Sequence, residues 1–247
     1  MDNMLYISMS GAKENMNALA VRANNLANVN THGFKSDFEQ ARSMQAFGEG
    51  LPTRVFSITE SPGQDFTAGA LQLTGNDLDV AIQGDGWLSV LDKNNNESYT
   101  RGGSLHINAN GELLTASGHP VLGEGGPIII PTPIERIKIH SDGRIEVRPQ
   151  GAPANALEEV DQLKLVNPNV KNLIKGEDGM FRLADGKPAP AAENVQIAGG
   201  ALETSNVSAV GELTGMINLQ RQFEMQIKMM KTAEENDKAS DSLLRIG

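Results

Sequence analysis

The sequence contains no cysteine, which removes disulfides and thiolate metal sites together. Aromatic residues make up only 4%, with a single tryptophan, Trp87, too few for a base-stacking platform. Basic runs are missing and the net charge is −10, so nucleic acid is not an expected partner. No apolar run nears the roughly 20 residues that cross a bilayer, and a membrane-spanning segment is not expected. The opening, MDNMLYISMSGAKENM, has neither the basic start nor the continuous apolar core of a cleaved secretory signal. It predicts a chain that stays in the cytoplasm or leaves by a route needing no such signal. What is present is 247 residues, 39% of them hydrophobic, enough for one large domain or two modest ones.

The first thirty residues carry a heptad spacing. Leu5, Met9, Ala12, Met16, Leu19, Ala23 and Leu26 follow alternating gaps of four and three, the pattern of helices that supercoil along one another. Asp2 or Asn3 is placed to cap such a helix, and Gly33 to end it. From Ser205 to Gly247 there is no proline. Leu213, Met216, Ile217, Leu219, Phe223, Ile227 and Met230 share one helical face, while Met225, Met229 and Leu243 lie on another. Glu224–Lys228, Glu234–Lys238 and Asp241–Arg245 are acid-before-base pairs one turn apart. Gly211 and Gly215 read equally as a frayed helix start or as the close approach of a neighbouring helix.

Between these ends the period changes to two. ERIKIHSDGRIEVRP sets Ile137, Ile139, Ile145 and Val147 around Asp142-Gly143, a dipeptide suited to a type I′ hairpin. SLHINANGELLTA repeats the design around Asn110-Gly111. Further turns are expected at Gly84-Asp85-Gly86, Asp178-Gly179 and Asp185-Gly186. Many short strands with regular turns predict an all-β sandwich or barrel-like domain. The fold class is therefore α+β: a discontinuous, coiled-coil-like helical domain from residues 1–35 and 205–247, flanking an all-β central domain at 76–204. Residues 36–75, with Pro52, Pro62 and several glycines, read as an extended connector. The terminal helices offer more apolar faces than two helices alone need, and isolated helices are marginal in water. Such ends want partners, most simply copies or relatives of the same chain.

Catalytic and ligand motifs are weak. Ser10-Gly-Ala-Lys13 matches S-x-x-K, the signature of serine acylases, but the nearest thing to the companion K-T-G is Lys231-Thr232-Ala233. Ala12 falls in the heptad seam, so the stretch reads as plain helix, and a hydrolase built on Ser10 and Lys13 is a remote alternative. Asp92-Lys-Asn94-Asn-Asn96 starts like a calcium loop, yet Glu97 stands where glycine belongs and Gly103 where glutamate belongs. His32, His106, His119 and His140 are scattered without ligand spacing. The glycines at 84–86 and 123–126 lack the following helix that a phosphate-cradling loop requires. No catalytic residue, cofactor or metal is assigned.

One family does match. ANNLANVNTHGFK, from Ala23, resembles the N-terminal signature of the bacterial flagellar rod and hook proteins, and LETSNVSAVGELTGMINLQRQFEMQIKMMKT, from Leu202, their C-terminal one. LDVAIQGDGWLSV and YTRGGSLHINANGELLTASGHPVLG resemble β-domain blocks of the rod members, with Gly103 where those members usually carry another residue. The opening and the length look most like the proximal-rod members; a distal-rod or hook-type member is the alternative. The resemblance implies a non-enzymatic structural subunit of the flagellar basal-body rod. Its partners would be copies of itself and other rod proteins, with proximal and distal rod subunits above and below, and the flagellar export apparatus during secretion. Its place would be the rod crossing the periplasm, reached without a cleaved signal peptide. The helices would form the inner layer of a hollow shaft that carries torque and conducts exported subunits. The expected interface is Leu5, Met9, Met16, Leu19, Asn24, Asn25, Leu26, Asn28, Leu213, Met216, Ile217, Phe223, Ile227 and Met230. The asparagines are expected there because an amide can donate and accept hydrogen bonds without bringing a charge into a crowded contact; the alternative is that they only cap and fray the helix end.

Overall fold

The computed structural model describes residues 3–39, 41–45, 55–59, 63–151, 153 and 156–244. The chain forms two compact units. One holds residues 1–29, 35–65 and 207–247; the other holds residues 30–34 and 66–206.

In the first unit, helix α1 runs Asn3–Ala27 and helix α2 runs Ala209–Leu244. Strand β1 (Asp37–Phe38) pairs antiparallel with β4 (Gly63–Gln64), and β2 (Ala41–Gln45) with β3 (Val55–Thr59). The stretch expected to be a plain connector therefore carries two-stranded pairings. Val55, Ile58 and Thr59 are β-branched and suit pairing of the extended backbone expected here.

Helix α1 stops at Ala27, well before Gly33. Asn28 ends it by donating its side-chain amide to the Asn24 carbonyl oxygen at 2.9 Å, and Val29 closes a tighter turn onto Leu26. At the other helix, Ser208 is the cap: its Oγ accepts from the Gly211 amide at 3.3 Å, and its carbonyl accepts from Glu212. Glu234 and Lys238 do pair, at 2.6 Å on the exposed face of α2. The side chains of Asp2, Asn3, Asp241 and Arg245 lie outside the described set.

The second unit is built from antiparallel strands. They are β5 (Leu71–Leu73), β6 (Val80–Gln83), β7 (Trp87–Leu91), β8 (Glu97–Thr100), β9 (Leu105–Ile107), β10 (Leu113–Thr115), β11 (Ile134–Ile139), β12 (Arg144–Pro149), β13 (Glu158–Gln162), β14 (Leu165–Val166), β15 (Leu173–Lys175), β16 (Phe181–Leu183), β17 (Gln196–Gly199) and β18 (Ala201–Glu203). The largest sheet has the order β14-β7-β8-β16-β15, and a meander β11-β12-β13 is the next. The pairs β9–β10, β6–β17 and β5–β18 complete it. The alternation seen in the sequence holds: Ile137, Ile139, Ile145 and Val147 all point into one core with Val90, Leu113, Val121 and Ile197. A second cluster gathers Trp87, Tyr99, Phe181 and Leu173, with Phe66 packed on it. The Trp87 and Phe181 ring centroids are 4.6 Å apart. Burial pushes the Tyr99 phenol up to about 12, and its oxygen accepts from the Ala189 amide at 2.8 Å.

The hairpin turns differ from the expected two-residue type I′. At His140–Arg144 the closing bond runs from the His140 amide to the Arg144 carbonyl, with Gly143 donating back to His140. Gly143 takes φ +92°, whereas Asp142 does not enter the positive region. This is a three-residue loop with a left-handed last residue. The same pattern recurs at Asp92–Asn96, Asn108–Glu112, Thr115–His119 and Gly176–Met180, with Asn95, Gly111, Gly118 and Gly179 as the left-handed residues. In the loops opened by Asp92, Asn108 and Thr115, the first residue's side-chain oxygen accepts amides inside its own loop. The calcium-like stretch is thus a turn, in which Asp92 Oδ1 binds the Asn94 and Asn96 amides at 2.8 Å each.

Glycine geometry and carboxylate pairing each give a measurable expectation. A Cβ on Gly103 would lie 1.7 Å from the Val80 carbonyl oxygen, so Gly103→Ala should destabilise the β unit by about 3 kcal/mol or more in a urea melt. Gly118→Ala, which meets nothing within 4 Å, should cost only about 1–2 kcal/mol, the strain of its left-handed φ. Asp92 and Asp178 make the second case. Burial raises the Asp92 carboxyl, but the two loop amides and Arg182 outweigh it and hold the group below its ordinary value. Arg182 does the same for Asp178. A depressed folded-state pKa stabilises fully above the unfolded value and is lost as pH falls through the folded one. The β unit should therefore lose stability below about pH 4, and Asp92→Ala should flatten that acid limb in melts taken across pH.

Candidate assembly surface

Helices α1 and α2 lie antiparallel, and the line along which they meet is built from small residues. Ser8, Ala12 and Asn25 are the buried positions of α1 with described side chains; Ala233 is the buried one of α2. A Cβ on Gly11 would sit 2.9 Å from the Gln226 side-chain nitrogen, and one on Gly215 would sit 2.4 Å from an Arg22 guanidinium nitrogen. Of the two readings of the α2 glycines, Gly215 is the close approach. Gly211 instead lies in the first turn, against its own cap Ser208.

This packing settles where each expected interface residue lies. On α1, Leu5, Leu19 and Leu26 are half-buried, whereas Met9 and Met16 are exposed, Met16 at 59%. On α2, Met216, Leu219, Phe223 and Met230 are half-buried, and Leu219 lines a groove shared with α1. Leu213, Ile217 and Ile227 are exposed, Ile217 at 53%. The apolar pattern thus divides into an inner half that the two helices use on each other and an outer half that water reaches. Tyr6, Met225 and Met229 join the outer half, outside the expected set. Their spacing is visible in the sequence, but one sequence does not say which of several apolar faces is covered. A groove of about 520 Å³ runs between the helices, floored by Ala18 and Leu219 and rimmed by Met225, Met229, Glu14 and Gln222.

The asparagines are not alike. Asn24 is exposed and Asn28 half-buried, bonded into its own helix. Asn25 is only 2% exposed, and its amide is engaged within the chain. Its Nδ2 donates to the Asp37 carbonyl oxygen at 2.7 Å, and its Oδ1 accepts from the Asp37 amide at 2.9 Å. The same Nδ2 lies 3.3 Å from Glu212 Oε1. Within the chain Asn25 thus clamps the backbone that leaves α1. A short polar side chain carrying both a donor and an acceptor can mimic one residue of a strand, and no charge or apolar group there could do so. Ser10 and Lys13 lie within α1 as ordinary helical residues. Among the described residues no cluster of His, Asp or Glu could hold a metal, and no helix is long and apolar enough to cross a membrane.

In the β unit the family-like segments meet at one buried ion pair. Arg101 Nη1 and Glu203 Oε2 are 2.9 Å apart, with 6% and 1% of each residue exposed. Arg101 Nη2 donates to the Gly84 carbonyl oxygen at 2.6 Å, and its guanidinium lies 5.5 Å from the Trp87 ring centroid. Glu203 Oε1 accepts from the Gly69 amide, and its carbonyl from the Gly33 amide at 2.8 Å. Gly33 has φ +70°, and a Cβ there would lie 2.2 Å from the Arg101 backbone.

Three family matches fall on these parts. The family described as flagella basal body rod protein matches residues 5–35, the flagellar hook protein FlgE/F/G D1 domain matches 81–147, and the flagellar basal body rod FlgEFG protein C-terminal family matches 198–243. The chain is 40% identical to the flagellar basal-body rod protein FlgF of Escherichia coli and to that of Salmonella typhimurium, in each case over 99% of both chains. It is 31% identical to the flagellar basal-body rod protein FlgG of Agrobacterium fabrum, over 94% of this chain and 95% of that one. The chain belongs to the flagellar basal-body rod protein family, whose members are structural parts of the basal body. Within that family its resemblance to the proteins named FlgF is higher than to the one named FlgG.

The buried pair yields a test. Arg101→Leu strands the Glu203 carboxylate away from water and should cost the β unit about 3–5 kcal/mol. Adding Glu203→Leu to the same chain should recover part of the loss, because no lone charge is then left buried. Chemical denaturation of the three proteins measures both steps.

Proposed function

We propose that this chain is a subunit of the proximal part of the rod. It builds into a hollow shaft through α1 and α2, and the shaft carries torque and conducts exported subunits. The helices of neighbouring copies and of other rod proteins cover one another's outer apolar stripes in a coiled-coil-like inner layer. The β unit forms the outer layer, so the helical parts at 1–35 and 205–247 assemble while 76–204 decorates. The chain reaches the basal body through the flagellar export apparatus, with no cleaved signal peptide. Higher identity to proteins named FlgF than to one named FlgG favours the proximal position over the distal one.

The observation that carries this reading is the outer stripe itself. Met9, Met16, Leu213, Ile217 and Ile227, five of the expected interface residues, are exposed on helices that are already packed against each other. Exposed large apolar side chains in rows mark a contact surface. Each would contribute about 1.5–3 kcal/mol if covered by a neighbour.

Ile217→Asp and Met16→Asp test it. Both positions are open to water in the single chain, so the melt of the isolated protein should move by less than about 0.5 kcal/mol. Repeated in every copy around a shaft, an unpaired carboxylate in a covered contact should stop incorporation. Cells carrying either variant as their only copy should make no hook or filament and should not swim. Rods isolated with the variant in place, at the parent's level, would defeat the reading.

A further inference from the structure

The line of contact between α1 and α2 presents a physical problem. Gly11 and Ala18, on the α1 side of the contact, offer few protruding side chains, so this stretch gives little apolar interdigitation to hold one helix against sliding along the other. Interdigitating large residues normally fix register, and small ones do so poorly. Yet the outer stripes of the two helices can form a single surface only in one register.

We infer that Asn25, Arg22 and Glu212 are positioning residues that fix the axial register of α1 against α2. The inference rests on the reading of the helix pair as the assembly surface. Three observations carry it. Glu212 is held from two consecutive turns of α1 at once: Arg22 Nη1 reaches its Oε2 at 3.0 Å, and Asn25 Nδ2 its Oε1 at 3.3 Å. Arg22 can lie there because the facing position is Gly215, where an added Cβ would come within 2.4–2.8 Å of three guanidinium atoms. Asn25 also holds both backbone polar atoms of Asp37, so the chain leaving α1 is pinned to the same point.

Sliding by one turn would break both contacts to Glu212 together, while the Asp37 bonds travel with α1 and keep Asn25 aimed at the same point. The Glu212 carboxylate is 15% exposed, and leaving it without either partner carries a desolvation cost. A single buried asparagine sets register in helical pairs by the same logic. Here the amide is joined to an ion pair at the first turn of α2, where the helix dipole favours the carboxylate of Glu212.

The absence of native cysteine makes the register measurable. Ala20→Cys and Asn218→Cys put spin labels on exposed positions of the two helices of the full-length protein. Pulsed electron spin resonance should give one narrow distance in the parent. Asn25→Leu keeps the side chain's bulk and removes its hydrogen bonds; Glu212→Ala removes the carboxylate and leaves Asn25 in place. Each should add a second population displaced by about one helical turn, 5.4 Å, and each should lower incorporation into rods. Glu212→Gln keeps one acceptor oxygen for Arg22 or Asn25 and turns an N–H donor toward the other, so its displaced population and its loss of rod yield should both be smaller than those of Glu212→Ala. An unchanged distance distribution in both Asn25→Leu and Glu212→Ala overturns the inference. So does a shifted register in variants that still build rods at the parent's level. Failure of the assembly reading looks different, because Ile217→Asp would then build normal rods whatever the label distances show.

Discussion

The β unit depends on one buried charge pair. Arg101 and Glu203 lie about a hundred residues apart in sequence, and neither side chain reaches water. Burying both is costly, and hydrogen bonds to most of the remaining polar atoms offset it, Arg101 Nε being the buried atom without a partner. Glu203 answers this by accepting from Gly69 and from Arg101 through its carboxylate, and from Gly33 through its carbonyl. Its neighbours are accordingly glycines. A side chain at Gly33 would strike the Arg101 backbone, and one at Gly69 would come within 1.9 Å of the Thr204 carbonyl oxygen. The pair thus fixes where residues 30–34, 69, 84, 101 and 203 meet. A hydrophobic pair would hold such a place without specifying it as closely, since only directional bonds demand that particular glycines and carbonyls be present.

Around this point the unit relies on local chemistry repeated many times. Five loops use the same three-residue turn, each with a left-handed residue at its end. Four of those residues are glycine and one is Asn95, the non-glycine residue that tolerates the region best. Three of the five supply their own acceptor from the opening side chain, so the loop amides are satisfied without help from distant parts of the chain. Strands joined this way form contacts close in sequence, which suits a unit that must fold promptly. The helical unit follows the opposite strategy. Its contact includes Gly11 and Gly215, and much of its larger apolar surface is left facing out.

How far the sequence disclosed this follows from the same contrast. Alternation around Asp142-Gly143 was enough to place β11 and β12 and to say which isoleucines face the core, because a strand's two faces are set by parity. The turn type was not, since Asp-Gly fits both a two-residue loop and the last two residues of a three-residue one. Helices α1 and α2 were legible from apolar spacing and from the proline-free stretch after Ser205, but α1 stops at the asparagines and not at Gly33. The residues expected at the interface were legible as a set of apolar positions, though not as exposed and half-buried subsets. Spacing gives the faces of a helix, and only packing says that Met216, Phe223 and Met230 are used inward while Ile217 and Ile227 are left over. Asn25 stands out for its chemistry but not for its partner, because that partner is a backbone amide twelve residues on, in a stretch without periodicity. Arg22 and Glu212 gave no signal at all, being ordinary charges on exposed-looking turns.

On the proposed reading, a subunit that polymerises through apolar stripes must not do so before it reaches its place, and charge supplies part of the answer. The net charge of −10 makes two free copies repel at the distance of a Debye length, while contact burial acts only at touching range. Methionine supplies another part. Met9, Met16, Met225 and Met229 are unbranched and adaptable, so the outer stripe can fit neighbours of differing shape without a carved pocket for each. Adaptable side chains specify position poorly, however, and a shaft made only from them would slip. The division of labour within the helical unit resolves this. The outer surface stays permissive, and the directional bonds of Asn25, Arg22 and Glu212 lie inside the chain, where each copy meets the same partners whatever neighbour it is given.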